Sequence, residues 1–132
     1  MRLLSPASPP DPEKVAAGIR LLESWGLKVE VGAHAFDRNG HFLAGKDEDR
    51  LSDWNEALRD RGVRAIFTTR GGKGAYRIAH ALDFAAARSD PKPCIGFSDA
   101  TTTEVNRHEQ NVSNRKTYSD NRNTDRSLRQ PC

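Results

Sequence analysis

Apolar and polar residues alternate along residues 1–102 in two periods, one typical of strands and one typical of helices. Leu3-Leu4 is a short apolar run before a proline-rich loop and is expected to form an edge strand. Alternation over residues 27–31 predicts a second strand, and the apolar runs 63–68 and 94–97 predict two more.

Helical spacing separates these strands. Asp11 is a typical N-cap, Pro12 suits the first helical position, and Gly26 suits the end of this helix. Asp47 is expected to cap a second helix, and a third begins after Gly74. The apolar faces of the three helices are expected at Val15, Ile19, Leu22 and Trp25, then Leu51, Trp54 and Leu58, then Ile78 and Leu82.

Charged residues on the second helix, among them Arg50, are expected to be solvated. Strands that alternate with helices predict an α/β fold, in which helices flank a parallel sheet.

A glycine turn, Arg70-Gly71-Gly72-Lys73-Gly74, follows the strand at 63–68. A phosphate-binding P-loop is excluded, because Gly74 stands where that motif needs Ser or Thr and Phe67 where it needs glycine. Two interpretations remain: a tight turn that lets strand and helix pack closely, or bare N–H groups at a strand end, where open α/β sheets bind ligands.

Ser98 follows the run 94–97 at a sharp turn into a possible helix. A serine so placed presents its hydroxyl to a base and to oxyanion donors, which makes Ser98 a candidate nucleophile. The alternative is a helix cap formed by Ser98 or Asp99. The surrounding residues do not match the GxSxG pattern, so the local motif alone favours the helix cap.

Composition narrows the class of protein. The 132 residues carry a net charge of +3, and residues 103–132 alone carry six basic and four acidic residues. The basic charge therefore lies mainly in this polar segment and does not favour a nucleic-acid-binding domain. No apolar run is long enough for a membrane span or a signal peptide, and Cys94 and Cys132 match neither a disulfide framework nor a metal site. We expect a cytoplasmic chain.

Five blocks in order make the chain resemble the N-terminal domain of the LD-carboxypeptidases, the serine peptidases of the muramoyltetrapeptide carboxypeptidase and microcin-immunity type. The blocks are Pro6-Ala7-Ser8-Pro9, then 22–29, Leu43-Ala44-Gly45-x-Asp47-x-x-Arg50-x-x-Asp53, the Arg70–Gly74 turn, and 91–99. The resemblance covers roughly residues 3–102. It implies a flavodoxin-like α/β domain over 1–102.

The resemblance also implies an activity: cleavage of an L,D peptide bond in a murein tetrapeptide during cell-wall recycling, without metal or organic cofactor. Ser98 matches the nucleophile. The N–H groups of Gly72 and Asp99 match the oxyanion hole, and Arg70 and Gly71 match substrate-binding positions. The family usually has an aromatic residue where this chain has Lys73, which affects substrate contacts but not the backbone donors.

The chain departs from the family after about Thr102. Residues 103–132 have no apolar stripe and are expected to be disordered. The family's second domain, with the Glu and His of a Ser-His-Glu triad, does not follow, and none of His34, His41, His80 and His108 stands at the family's histidine position. We therefore expect a truncated or frame-shifted enzyme that is inactive alone, with open apolar surfaces that allow a homodimer.

Two other interpretations of the function remain open. One is a non-catalytic module that binds a peptide at Gly72 and Ser98. The other, less favoured, is a basic segment over 103–132 that binds a polyanion such as RNA, with an affinity that falls steeply with salt.

Overall fold

The computed structural model describes residues 1–96 and Ser98. The strands are β1 (Arg2–Leu4), β2 (Glu30–Val31), β3 (Ile66–Thr68) and β4 (Cys94–Ile95), and the helices are α1 (Pro12–Ser24), α2 (Asp47–Arg59), α3 (Ala75–Ala79) and α4 (Phe84–Ser89). Among the described residues, no helix has the length and apolar character needed to cross a membrane.

The strands form one parallel sheet in the order β2-β1-β3-β4, which confirms the predicted α/β class. The prediction that Leu3-Leu4 is an edge strand is wrong, because β1 lies between β2 and β3. Leu3 and Leu4 point to opposite faces, and both are buried. Burial on both faces is typical of an interior strand, but a run this short does not reveal it.

Helices α2, α3 and α4 cover one side of the sheet, which we call the α2 face. Its buried cluster contains Leu4 and Ile66 from the sheet, together with Trp54, Ala57, Leu58, Val63, Ile78, Leu82 and Ala87. The expectation that Arg50 is solvated is wrong, since it is 1% exposed. Arg50, Asp53, Trp54, Ala57 and Leu58 follow the i, i+3, i+4, i+7, i+8 pattern of a buried helical stripe.

Helix α1 lies on the opposite side, which we call the α1 face. Four apolar residues cross the sheet there in register: Val31, Leu3, Phe67 and Ile95. The predicted apolar face of α1 is correct in its spacing but weakly packed. Only Val15 of this helix is buried, and Trp25 is 67% exposed.

The helix ends follow local chemistry. The Asp11 side chain caps α1 by accepting from Glu13 N at 2.9 Å, as predicted. Lys46 rather than Asp47 is the N-cap of α2, because Asp49 Oδ2 accepts from Lys46 N at 3.0 Å. The single helix expected after Gly74 is two, since Asp83 caps α4 separately. Asp99 and residues 103–132 lie outside the described residues.

Candidate functional site

Three loops meet at the carboxyl edge of the sheet, because the strands are parallel. The loop after β1 and the turn after β3 are joined by two hydrogen bonds: Thr69 N donates to Leu4 O at 2.8 Å, and the hydroxyls of Ser5 and Thr69 lie 2.6 Å apart. Thr68 Oγ1 approaches Ile95 O of β4 at 3.5 Å. The ends of these three strands therefore form one continuous edge.

The glycine turn after β3 packs tightly against the loop after β1. Gly72 has φ +125°, a conformation that favours glycine. A Cβ on Gly72 would also lie 2.2 Å from Ser8 Oγ. Ser8 is 8% exposed, so this close approach belongs to the packed interior of the loop. Both constraints favour glycine at position 72.

Ser98 follows β4 at the same edge of the sheet. It is exposed and has φ +60°, the left-handed conformation, and it is the one residue besides glycine with positive φ in the described part of the chain. For a residue with a Cβ this backbone costs about 1–2 kcal/mol, so the fold must hold it in place. A strained serine at a strand end is typical of a nucleophile turn.

The buried Arg50 connects α2 to these loops. Its Nε donates to Pro6 O at 3.0 Å and its Nη1 to Gly45 O at 2.7 Å, while Nη2 pairs with Asp47. Asp47 Oδ2 in turn accepts from Arg77 Nε of α3 at 2.8 Å. One guanidinium therefore positions the loop that contacts Gly72.

Two cavities open beside the turn. One, of about 560 Å³, lies under α1 and is lined by Leu3, Val15, Leu22 and Phe67, with Arg70 at its end. The other, of about 370 Å³, is lined by residues of three loops, including Ser8, Arg38, His41, Phe42 and Arg70. Arg70 is exposed and contributes to both cavities, whereas Gly71 is buried.

A second polar group lies between the loop after β2 and the start of α2. Ligand atoms of His34, Asp37 and Asp49 lie within 4.8 Å of one another. His34 Nδ1 is 2.7 Å from Asp37 Oδ2, and this hydrogen bond raises the pKa of His34. Burial raises the pKa of Asp53, although that carboxylate accepts from His34 N at 3.0 Å. Asp49 Oδ2 accepts from Lys46 N at 3.0 Å, so each of the three side chains has a hydrogen-bond partner within the protein.

The family model of the LD-carboxypeptidase N-terminal domain matches residues 1–115. The chain belongs to this family. The resemblance stated from the five blocks is confirmed, and the matched range runs past residue 102, so the boundary expected at 102 stays a prediction.

The relatives carry names that fit this LD-carboxypeptidase family. A probable murein peptide carboxypeptidase of Bacillus subtilis is 42% identical over 99 residues, which cover 75% of this chain and 31% of the relative. The murein tetrapeptide carboxypeptidase of Pseudomonas aeruginosa is 35% identical over 98 residues, 74% of this chain and 32% of the relative. The chain therefore spans about a third of the length of these relatives.

Solved structures agree on the fold. The muramoyltetrapeptide carboxypeptidase of Oxalobacter formigenes superposes with a TM-score of 0.67 at 29% identity, over 76% of this chain and 34% of that protein. The structure places Arg70, Gly71, Gly72 and Ser98 at neighbouring strand ends, whereas Asp99 lies outside the described residues.

Residue patterns did not reveal Ser8, Arg38, His41 or the burial of Arg50 at this edge. For Arg50 the helical stripe was an available signal. For the other three, no local pattern indicates which loops meet.

Proposed function

We propose that this chain provides the nucleophile and the oxyanion donors of a serine-type LD-carboxypeptidase that acts on a murein tetrapeptide. The observation that carries the proposal is the left-handed conformation of Ser98, which follows β4 (Cys94–Ile95) after a short connection, one strand away from the tightly packed Gly72 turn. Family membership supplies the reaction class, and this geometry supplies the residues.

In the proposed reaction, Ser98 Oγ attacks the carbonyl carbon of the L,D peptide bond. A base takes the hydroxyl proton and passes it to the nitrogen of the departing D-amino acid, whose bond to the carbonyl carbon then breaks. Water hydrolyses the resulting ester and restores Ser98. Each step conserves protons between nucleophile, base and leaving amine.

The negative oxygen of the tetrahedral intermediate would accept hydrogen bonds from the N–H groups of Gly72 and Asp99. Backbone donors fixed on turns need no reorganisation during the reaction, and each is worth about 3 kcal/mol in the transition state. Arg70 and Gly71 would contact the peptide beside the scissile bond. The positive φ of Gly72 and its contact with Ser8 support a fixed donor there.

The base of the proposed reaction is expected outside residues 1–102. Family resemblance assigns it to a histidine, oriented by a glutamate, in a second domain. We therefore expect the 132 residues alone to bind substrate with negligible turnover, since loss of a triad histidine costs on the order of 10⁶ in turnover.

Acylation of Ser98 tests the nucleophile with a substrate that needs no general acid, and the hydroxyl proton passes to water or buffer. A nitrophenyl ester of an L-amino acid has a good leaving group, so its acyl group can transfer to serine without a general acid. We expect intact mass spectrometry to show one acyl group per chain, and peptide mapping to locate it on Ser98.

Ser98→Ala should abolish this labelling, whereas Ser52→Ala, at an exposed serine on α2, should leave it unchanged. Labelling that persists in Ser98→Ala, or that distributes over several serines, would contradict the proposal. Release of D-amino acid from a tetrapeptide at the rate of a full enzyme would contradict the expected negligible turnover.

The proposed setting is the cytoplasm, where murein peptides are recycled. The exposed apolar residues of the α1 face would allow two copies to associate. Sedimentation velocity over a tenfold range of concentration checks this part, and a monomer throughout would exclude it.

A further inference from the structure

We propose that the 370 Å³ cavity between the loops after β1 and β2 binds the terminal carboxylate of the peptide, with Arg38 as a substrate-binding residue together with Arg70. This inference rests on the proposed carboxypeptidase function and extends it, because it assigns the group that distinguishes a chain end from an internal bond.

The cavity lies beside the Gly72 turn. Ser8 lines the cavity and also fills the space against Gly72, where a Cβ would lie 2.2 Å from its hydroxyl oxygen. The cavity therefore opens beside the turn that would hold the oxyanion. In a peptide, the terminal carboxylate carbon is three bonds from the scissile carbonyl carbon, a span of at most about 4 Å. A carboxypeptidase therefore binds the terminal carboxylate within one residue of its oxyanion donors.

The lining of the cavity carries more positive than negative charge. Arg38, His41 and Arg70 line the cavity, against one carboxylate, that of Asp11. Asp11 already accepts from Glu13 N at 2.9 Å as the cap of α1. The surplus positive charge of the two guanidinium groups therefore faces the cavity and favours an anion.

Arg38 and Arg70 are both available to bind an anionic ligand. Within residues 1–96 and 98, neither Arg38 nor Arg70 forms an ion pair, and Arg70 Nη1 has only a long contact of 3.5 Å to Pro9 O. Arg2, Arg50 and Arg77 are paired with carboxylates. Arg20, Arg61 and Arg88 also have no ion pair within the described residues, but they do not line this cavity. A guanidinium without a partner binds a carboxylate through two parallel N–H groups, the strongest geometry for this pair.

The cavity has an apolar wall and a volume suited to a small ligand. Phe42 is 59% exposed and stands at the wall of the cavity beside His41. It supplies an apolar surface next to the cations, which suits the side chain of a terminal amino acid. The cavity volume of about 370 Å³ lies at the lower end of the range of small-molecule pockets and accommodates a terminal amino-acid residue.

Binding of a murein tetrapeptide and of its C-terminal amide tests the assignment. Isothermal titration calorimetry on the full 132-residue chain should show that the acid binds about 10-fold tighter than the amide. Arg38→Met should weaken binding of the acid by about 10-fold and leave binding of the amide unchanged. The matched control is Arg61→Met, at an exposed arginine before β3 on the opposite edge of the sheet, which should preserve the preference.

An acid preference that is absent in the wild type, or that is unchanged in Arg38→Met, would overturn the assignment. Arg38→Lys should restore part of the preference, which loss of fold alone would not. The nitrophenyl ester that labels Ser98 has no terminal carboxylate. Labelling without an Arg38-dependent preference would therefore reject this inference alone, whereas absence of labelling would reject the proposed nucleophile.

Discussion

On the α2 face of the sheet, three helices enclose a continuous cluster of buried apolar side chains, whereas on the α1 face a single thirteen-residue helix buries only Val15. Leu4 and Ile66 are fully buried on the α2 face. The difference increases toward the edge strand β4, because on the α1 face Leu3 of β1 is 5% exposed and Ile95 of β4 is 46% exposed. Burial of apolar area is the main stabilising contribution, so the two faces differ in what they contribute to folding.

The candidate site obtains its rigidity from the α2 face. The loop that contacts Gly72 is held by Arg50, and Arg50 belongs to α2. The groove on the other side, under α1, is open and apolar. The site thus has one wall fixed by the packed face and one wall formed by a loosely covered face.

The largest expected effect comes from a matched pair of isoleucines. Ile66→Ala removes a fully buried side chain of the α2 face and should lower the free energy of unfolding by about 2–5 kcal/mol. Ile95→Ala, on the half-exposed α1 face, should lower it by about 1 kcal/mol or less. Urea denaturation followed by circular dichroism measures both, and equal losses would mean that the two faces are packed alike.

A pair of arginines gives the next effect. Arg50→Met leaves the buried carbonyls of Pro6 and Gly45 without their donor and should cost about 2 kcal/mol of unfolding free energy. Arg20→Met, at an exposed position of α1, should change it by no more than about 0.5 kcal/mol. Arg50→Met should also reduce acylation of Ser98, whereas a loss of stability with unchanged acylation would separate Arg50 from the site.

The smallest effect is optical. Each face has one tryptophan: Trp54 is 2% exposed on the α2 face, and Trp25 is 67% exposed at the end of α1. In Trp54→Phe the remaining Trp25 should emit at long wavelength and be quenched readily by iodide. In Trp25→Phe the remaining Trp54 should emit at short wavelength and resist quenching. Similar quenching in both variants would show that α1 is covered in solution.

The sequence was informative where a rule is local. The helical spacing of α1 and α2, the cap at Asp11 and the position of the serine at a strand end followed from residues a few positions apart. Those patterns predicted the parallel sheet and brought Gly72 and Ser98 to one edge, because parallel strands share their carboxyl ends.

The rest depended on contacts between distant parts of the chain. Nothing in Leu3-Leu4 indicates two neighbouring strands, and the apolar spacing of α1 does not say how much of that face the sheet will cover. Arg50 looks like a surface residue until its acceptors, Pro6 O and Gly45 O, are known. The cavity with Arg38 requires three loops to meet, and sequence spacing does not determine that.

The central position of β1 has a consequence for the order of events during synthesis. Arg2 contacts Glu30, 28 residues later, whereas Ser5 meets Thr69, 64 residues later. Because β1 precedes both of its neighbours, it is flanked on both sides only after the 64 residues that separate Ser5 from Thr69 have been made. Until then its second edge is open to other chains, so the yield of native protein should depend on how fast translation reaches β3.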